Sequence, residues 1–266
     1  MPLNDPVSNP TALITGASSG IGQAFAYKLA SQGYNLLLIA RRSERLSAIA
    51  MDLTQKFKVH SEALSLDLSQ SADIENLAEK IRTLPALHLL INNAGFGIQG
   101  PFVHNAPERE KAMIQLHVLA PSQLSLAALP LMMRQRSGSI VNVASVAGLM
   151  LTPDHVNYNA TKAYLISFSK SLAEEYQHSG IQIQALCPGY TRTAFHQQAD
   201  FLAFQAHQVP SFLWMEPEHV VEKSLAALKS GQVIVIPGVL NQLMTFVFTQ
   251  PLLRHIILPI YRRITH

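Results

Sequence analysis

Tyr158 and Lys162 carry the first chemical suggestion in the sequence. They stand four residues apart in Tyr158-Asn159-Ala160-Thr161-Lys162, a spacing that puts a phenol and an ammonium on one helix face. A phenol titrates near pH 10, so proton transfer near neutrality calls for a shift of about 3 units, or about 4 kcal/mol. An exposed ion pair, worth at most about 1 kcal/mol, falls short of that. In a dry pocket Lys162 would stabilise the phenolate more strongly, and a further positive group nearby would add to the field. A solvated helix face has the same spacing, so the pair acquires meaning only from what surrounds it.

Composition narrows those surroundings. The chain has 266 residues, 48% hydrophobic and 14% charged, enough for one substantial core; one domain over 1–266 is the expected organisation. The net charge is only +3, with Lys and Arg dispersed along the chain, which argues against nucleic acid as a partner. The lone cysteine, Cys187, excludes an intramolecular disulfide and fits a reducing, cytoplasmic setting. Residues 1–10, with three prolines and no apolar core, read as a loose leader, neither a signal peptide nor a membrane span.

The elements that would position the pair alternate in type. Thr11 to Thr15 reads as a strand, followed by Gly16-Ala17-Ser18-Ser19-Gly20-Ile21-Gly22 and an amphipathic helix to about Gln32. Strand, glycine turn and helix form a phosphate cradle, in which backbone amides and the helix N-terminus meet an anion. Tyr34 to Ala40 reads as a second strand, ending in Arg41 and Arg42. An acid at that strand end would bind two ribose hydroxyls, whereas an arginine pairs a 2'-phosphate. The sequence therefore favours NADP(H) over NAD(H), with Ser18 as an additional phosphate contact; a solvated basic cap is the alternative.

Helices are expected over 43–57 and 71–83, a third strand ends in Ser65-Leu66-Asp67-Leu68, and Leu87 to Ile91 forms a fourth. Such alternation implies a parallel sheet with right-handed crossovers. Asp67, just past its strand, would reach an adenine amino group, unless it or Ser69 caps the next helix. Asn92-Asn93-Ala94-Gly95 offers close backbone approach and amides that tie strand ends together. Pro107 to Arg134 gives a long helical pattern containing His117, with a bend expected near Pro121 or an interruption at Pro130. Ser145 closes a fifth strand, Ser139 to Ala144, where a hydroxyl would donate to a substrate carbonyl oxygen or cap the following turn. The Tyr158 helix runs from about His155 to His178, and Ile181 to Leu186 forms a sixth strand before Cys187-Pro188-Gly189.

Taken jointly, Thr15-Gly16-Ala17-Ser18-Ser19-Gly20-Ile21-Gly22, Asn92-Asn93-Ala94-Gly95, Ser145, Tyr158 with Lys162, and Pro188-Gly189 followed by Thr193 resemble the short-chain dehydrogenase/reductase superfamily across nearly the whole chain. The resemblance implies a single Rossmann-type α/β domain with a doubly wound, seven-stranded parallel sheet, Gln232 to Ile236 being the last strand. It implies that Tyr158 exchanges the substrate proton, Lys162 lowers its pKa and holds the nicotinamide ribose, and Ser145 orients the carbonyl. By the same resemblance Asp67, Leu68, Asn93, Ala94 and Gly95 line the adenine and ribose side. Pro188, Gly189, Thr191 and Thr193 would hold the carboxamide and pyrophosphate. One position departs from the pattern: His117 stands where the full catalytic tetrad has an asparagine that positions a water in the relay to the lysine. His117 would relay protons itself, weaken the relay, or simply sit buried, neutral and bonded to a backbone carbonyl.

Two stretches lie outside the motifs. Residues 194–215 match the family's variable substrate lid, and Phe195, Phe201, Phe204, Phe212 and Trp214 suggest a lipophilic substrate or a stripe that closes the core. His196 and His207 have no metal-ligand spacing, so no metal is expected. The extension 238–266 is strongly apolar between Leu240 and Leu258, broken by Gln250, Pro251, Arg254 and His255, and ends in Tyr261-Arg262-Arg263. Those breaks argue against a membrane span; packing in a homodimer or homotetramer comes first, peripheral membrane contact second. The expected activity is NADP(H)-dependent interconversion of a carbonyl and an alcohol on an apolar substrate. The alternative is an NADP(H)-binding regulatory or scaffold protein with catalysis impaired at His117.

Overall fold

Alternation of side chains along each strand sorts the core into two layers. A computed structural model describes residues 9–150, 153–197 and 209–250. Strands β1 (Thr11–Thr15), β2 (Asn35–Ala40), β3 (Ser61–Ser65), β4 (Leu89–Asn92), β5 (Gly138–Val143), β6 (Ile181–Leu186) and β7 (Ile234–Val235) form one parallel sheet in the order β3-β2-β1-β4-β5-β6-β7. Ile14, Leu36, Leu38, Leu89 and Ile91 point to one face, and Leu13, Leu37, Ile39 and Leu90 to the other. The period of two in a strand places alternate residues on opposite faces, and covering both explains why β2 is buried along its full length.

Helices α1 (Gly20–Ser31) and α2 (Ser43–Phe57) cover the first face with Phe25, Leu29, Leu46 and Leu53, joined there by α8 (Pro217–Lys229). On the second face lie α3 (Ser71–Thr83), with Ile74, Leu77 and Ile81, and α5 (Ala120–Gln135), with Leu124 and Leu131. Between them in the chain come α4 (Pro107–Ile114), α6 (Ala147–Met150), α7 (Val156–Glu175) and finally α9 (Val239–Thr249). The sheet reverses its winding between β1 and β4, and that switch point is where ligands bind in open α/β sheets.

Most expected elements appear within a residue or two, and α2, α3 and β6 match their expected limits. Corrections fall at element ends. β3 stops at Ser65, leaving Leu66, Asp67 and Leu68 in the loop, and β4 begins at Leu89, the backbone N–H and carbonyl of Leu87 being taken up by the Gln135 side chain. β7 is only two residues long, since its sole neighbour β6 offers two paired positions there. Neither proline breaks the long helix. It is interrupted by a π-helical segment over Gln115–Leu119 with His117 at its centre, while Pro121 sits in the first turn of α5 and Pro130 is carried within it. A π segment widens the helix by one residue per turn, so it re-aims the side chains it carries. Of the remaining expectations, residues 1–8 of the leader, Phe201, Phe204 and His207 in the lid, and everything from Pro251 onward lie outside the described residues.

Candidate active site

The glycine turn is held shut by its neighbours. Gly16 has φ +68°, a conformation that L side chains rarely adopt, and a Cβ there would come within 2.7 Å of the Asn93 amide nitrogen. A Cβ on Gly22 would collide with the Gly16 carbonyl, so the start of α1 packs directly on the turn. Asn93 donates from Nδ2 to the Thr15 carbonyl at 2.9 Å, and Thr15 Oγ1 accepts the backbone N–H groups of Asn93 and Ala94 at 2.9 and 3.0 Å. Asn92 ties β4 to β5 by donating to Asn142 Oδ1 at 2.8 Å. The asparagines thus stitch the strand ends on either side of the switch point.

Arg42 folds back over this turn, donating from Nη2 to Ser18 Oγ at 3.0 Å and to Ser19 Oγ at 2.9 Å. Burial, then the like charges of Arg45 and Arg41, pull its guanidinium below the ordinary value. The guanidinium of Arg42 on two hydroxyls beside a helix N-terminus, with Arg41 and Arg45 near enough to repel it, leaves a demand for an anion. Thr193 packs its side chain against Gly20, bringing the loop after β6 onto the turn. In that loop Pro188 accepts the backbone N–H of Val146 at 3.1 Å, and Thr191 Oγ1 donates to the Gly189 carbonyl at 3.1 Å. A cleft of about 580 Å³ lined by Ser19, Gly20, Arg45, Arg192 and Thr193 adjoins the turn on its outer flank, away from Tyr158.

At the carboxyl ends of β4 and β5 the second half of the site assembles. Ser145 Oγ accepts the backbone N–H of Ala147 at 3.1 Å, which sets the hydroxyl at the start of α6, and it hydrogen-bonds to the Tyr158 phenol. Lys162, 5% exposed, donates from Nζ to the Val143 carbonyl at 2.8 Å and lies 5.7 Å from the centre of the Tyr158 ring. Burial pulls its ammonium down to about 8, and the neighbouring Cys187 opposes this only in part. Cys187 is itself pushed up to about 12 by burial, so it is a neutral packed thiol.

Tyr158 corrects an expectation. Its pKa is raised to about 12, because burial outweighs the hydrogen bond from Ser145 that pulls it down. In the protein alone the charge of Lys162, itself disfavoured by burial and with one N–H given to the Val143 carbonyl, does not offset that rise.

His117 is also placed differently from a relay. The ring is 1% exposed; Nε2 accepts the Phe96 backbone N–H at 3.1 Å, and Nδ1 lies 3.0 Å from Thr161 Oγ1. Because Nε2 accepts, the proton resides on Nδ1 and is donated to Thr161, whose hydroxyl in turn donates to the Tyr158 carbonyl at 3.0 Å. Burial, and then the charge of Lys162, hold His117 neutral. A Cβ on Gly95 would fall 2.8 Å from His117 Nε2, so the small residue in Asn93-Ala94-Gly95 makes room for this ring. His117 is therefore a strut between the β4 loop and α7, satisfied by a backbone N–H where a backbone carbonyl was expected.

Asp67 Oδ1 accepts both the backbone N–H and the hydroxyl of Ser69, at 3.1 and 2.8 Å, in a local turn, the Asp67 backbone N–H donates to Asp73 Oδ2 at 2.7 Å, and Leu68 is buried in the core. Arg41 is exposed, and its carbonyl accepts from Ser65 Oγ at 3.1 Å.

Three contributors escaped sequence reasoning. Glu110 accepts the Asn105 amide through Oε1 at 2.6 Å and the Asn157 amide through Oε2 at 2.8 Å, pinning the residue before Tyr158. His155 bonds the Ile98 carbonyl through Nδ1 at 3.1 Å, with its ring centre 6.3 Å from that of Tyr158. Thr161, within the Tyr158–Lys162 stretch, bridges to His117. No local pattern marks Glu110 or His155, since both act across contacts about 47 and 57 residues apart in sequence. Phe195, read as part of the lid, lies 5.9 Å from the Tyr158 ring.

Residues 10–200 match the family model for short chain dehydrogenases. An uncharacterized oxidoreductase of Bacillus subtilis, YmfI, is 35% identical over 240 residues, covering 86% of this chain and 98% of the relative. The human inactive hydroxysteroid dehydrogenase-like protein 1 is 32% identical over 202 residues, or 75% of this chain but only 61% of its own length. A short-chain dehydrogenase from Sphingobium yanoikuyae, solved in complex with NADPH, superposes with a TM-score of 0.82 at 33% identity, covering 96% of this chain and 93% of that one. With a glycine turn at the switch point and Ser145, Tyr158 and Lys162 gathered at the strand ends beside it, the chain belongs to the short-chain dehydrogenase family of oxidoreductases.

Proposed function

We propose that this oxidoreductase uses NADP(H) and reduces a carbonyl group on an apolar substrate to an alcohol, with Tyr158 as the general acid. The observation that carries the reading is the neutral Tyr158 phenol, hydrogen-bonded to Ser145 and enclosed above Lys162. A phenol raised to about 12 is in its donor form at neutral pH, which suits delivery of a proton to a carbonyl oxygen. Ser145 Oγ would hold that oxygen and Tyr158 would protonate it. Lys162, positive below about pH 8, would stabilise the phenolate left behind and hold a ribose hydroxyl.

NADP(H), when bound, supplies the hydride. The residues present fit it: the Gly16 turn admits a phosphate to backbone amides, and Arg42 with Ser18 and Ser19 offers charge-assisted donors at the strand end where a 2'-phosphate lies. Phe195 beside Tyr158, with the ring centres of Tyr190 and Trp214 5.4 Å apart, supports an apolar substrate such as a 3-oxoacyl thioester, the ketone of a hydroxysteroid couple, or a lipophilic ketone or aldehyde.

A second reading, a cofactor-binding regulatory or scaffold protein, draws on His117, whose two ring nitrogens are both engaged and so carry no proton toward Lys162. One experiment separates the two: NADPH oxidation with carbonyl substrates of increasing chain length, for wild type and Tyr158→Phe. The enzyme reading expects turnover that rises with apolar length, falls about 10²- to 10⁴-fold in Tyr158→Phe, and leaves NADPH affinity near wild type. Tight NADPH binding with no oxidation across the panel selects the scaffold; turnover retained in Tyr158→Phe removes the proton-donor role.

A further inference from the structure

Glu110 is an acid withdrawn from solvent. It is 9% exposed on α4, and its carboxylate meets two neutral amides: Oε1 accepts Asn105 Nδ2 at 2.6 Å and Oε2 accepts Asn157 Nδ2 at 2.8 Å. Burying a carboxylate forfeits several kcal/mol of hydration, and an apolar side chain would close the same gap between helices without that loss. What the carboxylate adds is direction, because each oxygen fixes one amide in place.

That direction converges on Tyr158. Asn157 lies in the first turn of α7, with the phenol on the next residue, and Asn105 ends the loop that leaves β4. Farther along the same long helix, His117 reaches Thr161 at 3.0 Å. Asn157 and Thr161 are one turn apart on α7, so Glu110 and His117 tie the backbone on either side of Tyr158. Between these two anchors Met113 packs with Phe96 and Ile98 in the cluster that meets the Tyr158 ring. The loop is fastened to the entry of α7 by Gly100, whose N–H donates to the Asp154 carbonyl at 3.0 Å, and the Arg109 guanidinium covers its Phe96 ring at 4.3 Å. Glu110 joins the end of that loop and the start of α7 through one carboxylate.

We propose that Glu110 is a positioning residue for proton transfer: through Asn157 its carboxylate sets where the Tyr158 phenol stands relative to Ser145, and through Asn105 it holds the loop after β4 against that place. The proposal rests on the reading of Tyr158 as the proton donor. The chemical step should depend on this carboxylate and cofactor binding should not, since the Gly16 turn and Arg42 belong to other elements.

Steady-state reduction of the carbonyl that wild type turns over fastest in the chain-length panel, with NADPH affinity and the thermal midpoint measured alongside, tests the proposal. Glu110→Ala is expected to lower kcat about a hundred-fold, the loss that follows from misplacing a reacting group by about 1 Å, with KM and NADPH affinity within about threefold of wild type. Glu110→Gln accepts at one position only and should lose about tenfold, as should Asn157→Ala; Glu110→Ala/Asn157→Ala should lose no more than Glu110→Ala, because the two act as a unit. A lowered thermal midpoint with kcat unchanged, or full additivity in the double variant, overturns the proposal. Should Glu110→Ala not fold, Glu110→Gln and Asn157→Ala carry the same comparison. If wild type reduces no carbonyl, the reductase reading fails separately, and an NMR titration followed at tyrosine Cζ decides the role of Glu110. Loosening the first turn of α7 admits water to the phenol, so the Tyr158 midpoint, about 12 in wild type, should fall toward about 10 in Glu110→Gln. An unchanged midpoint there overturns the positioning role.

Discussion

The two halves of the site are built from different material. At the glycine turn the working groups are backbone amides and the permanently charged Arg42, supported by residues with no titration of their own. At α7 the working groups are a phenol and an amine, and the enclosure that makes them useful also moves them, Tyr158 up to about 12 and Lys162 down to about 8. A binding site made of backbone and guanidinium is insensitive to its surroundings, whereas a proton-transfer site takes its properties from them. Short motifs therefore describe the first half better than the second.

The largest effect expected from this contrast is at Lys162. With a folded pKa of about 8 against 10.5 for the ordinary group, the unfolded chain holds a proton between those values that the folded chain has released. The burial penalty is fully present below about pH 8 and is relieved as pH rises toward 10.5, a gain of about 3 kcal/mol in unfolding free energy. Urea unfolding of wild type and Lys162→Met across this range should show the difference shifting toward wild type by about that amount. A pH-independent difference would mean that the lysine is hydrated and the two halves are more alike than described. Tyr158 acts oppositely, its contribution falling between pH 10 and about 12, which overlaps only the upper end of this window.

Arg42 should give the next largest change, and one without pH dependence. Arg42→Ala is expected to weaken NADPH roughly 10- to 100-fold, the range for loss of charged hydrogen bonds, and NADH less than about threefold. Equal losses for both cofactors, read by titration of each, would remove the ribose-phosphate role and leave Arg42 as a clamp on Ser18 and Ser19.

His117 should give the smallest effect near neutrality, because its contribution is confined to acid. Held neutral in the fold, it is protonated on unfolding, so wild-type stability falls as pH drops below about 6.5, by up to about 1.4 kcal/mol per pH unit. His117→Gln should flatten that slope while leaving the pH profile of turnover near neutrality unchanged. A shifted turnover profile would return His117 to the proton relay.

Legibility followed the range of the interactions. The limits of α2, α3 and β6 were readable because apolar periodicity and flanking turn residues are local. The bend of the long helix was not: prolines at 121 and 130 drew the expectation, yet the π segment forms where His117 must reach both Phe96 and Thr161. Glu110 was silent for a similar reason, since an acid on an amphipathic helix reads as solvated until Asn105 and Asn157 are seen to converge on it.

The sequence by itself determined the alternating strands and helices, the glycine turn, the basic strand end and the family, because each depends on residue types at short, fixed spacing. Only the tertiary structure decided that burial keeps the Tyr158 phenol neutral, that His117 bonds through both ring nitrogens to the β4 loop and α7, and that α9 leaves Val239, Leu243 and Phe246 exposed. Those properties depend on how much water and which partners each group loses on folding, and that is a matter of three-dimensional enclosure.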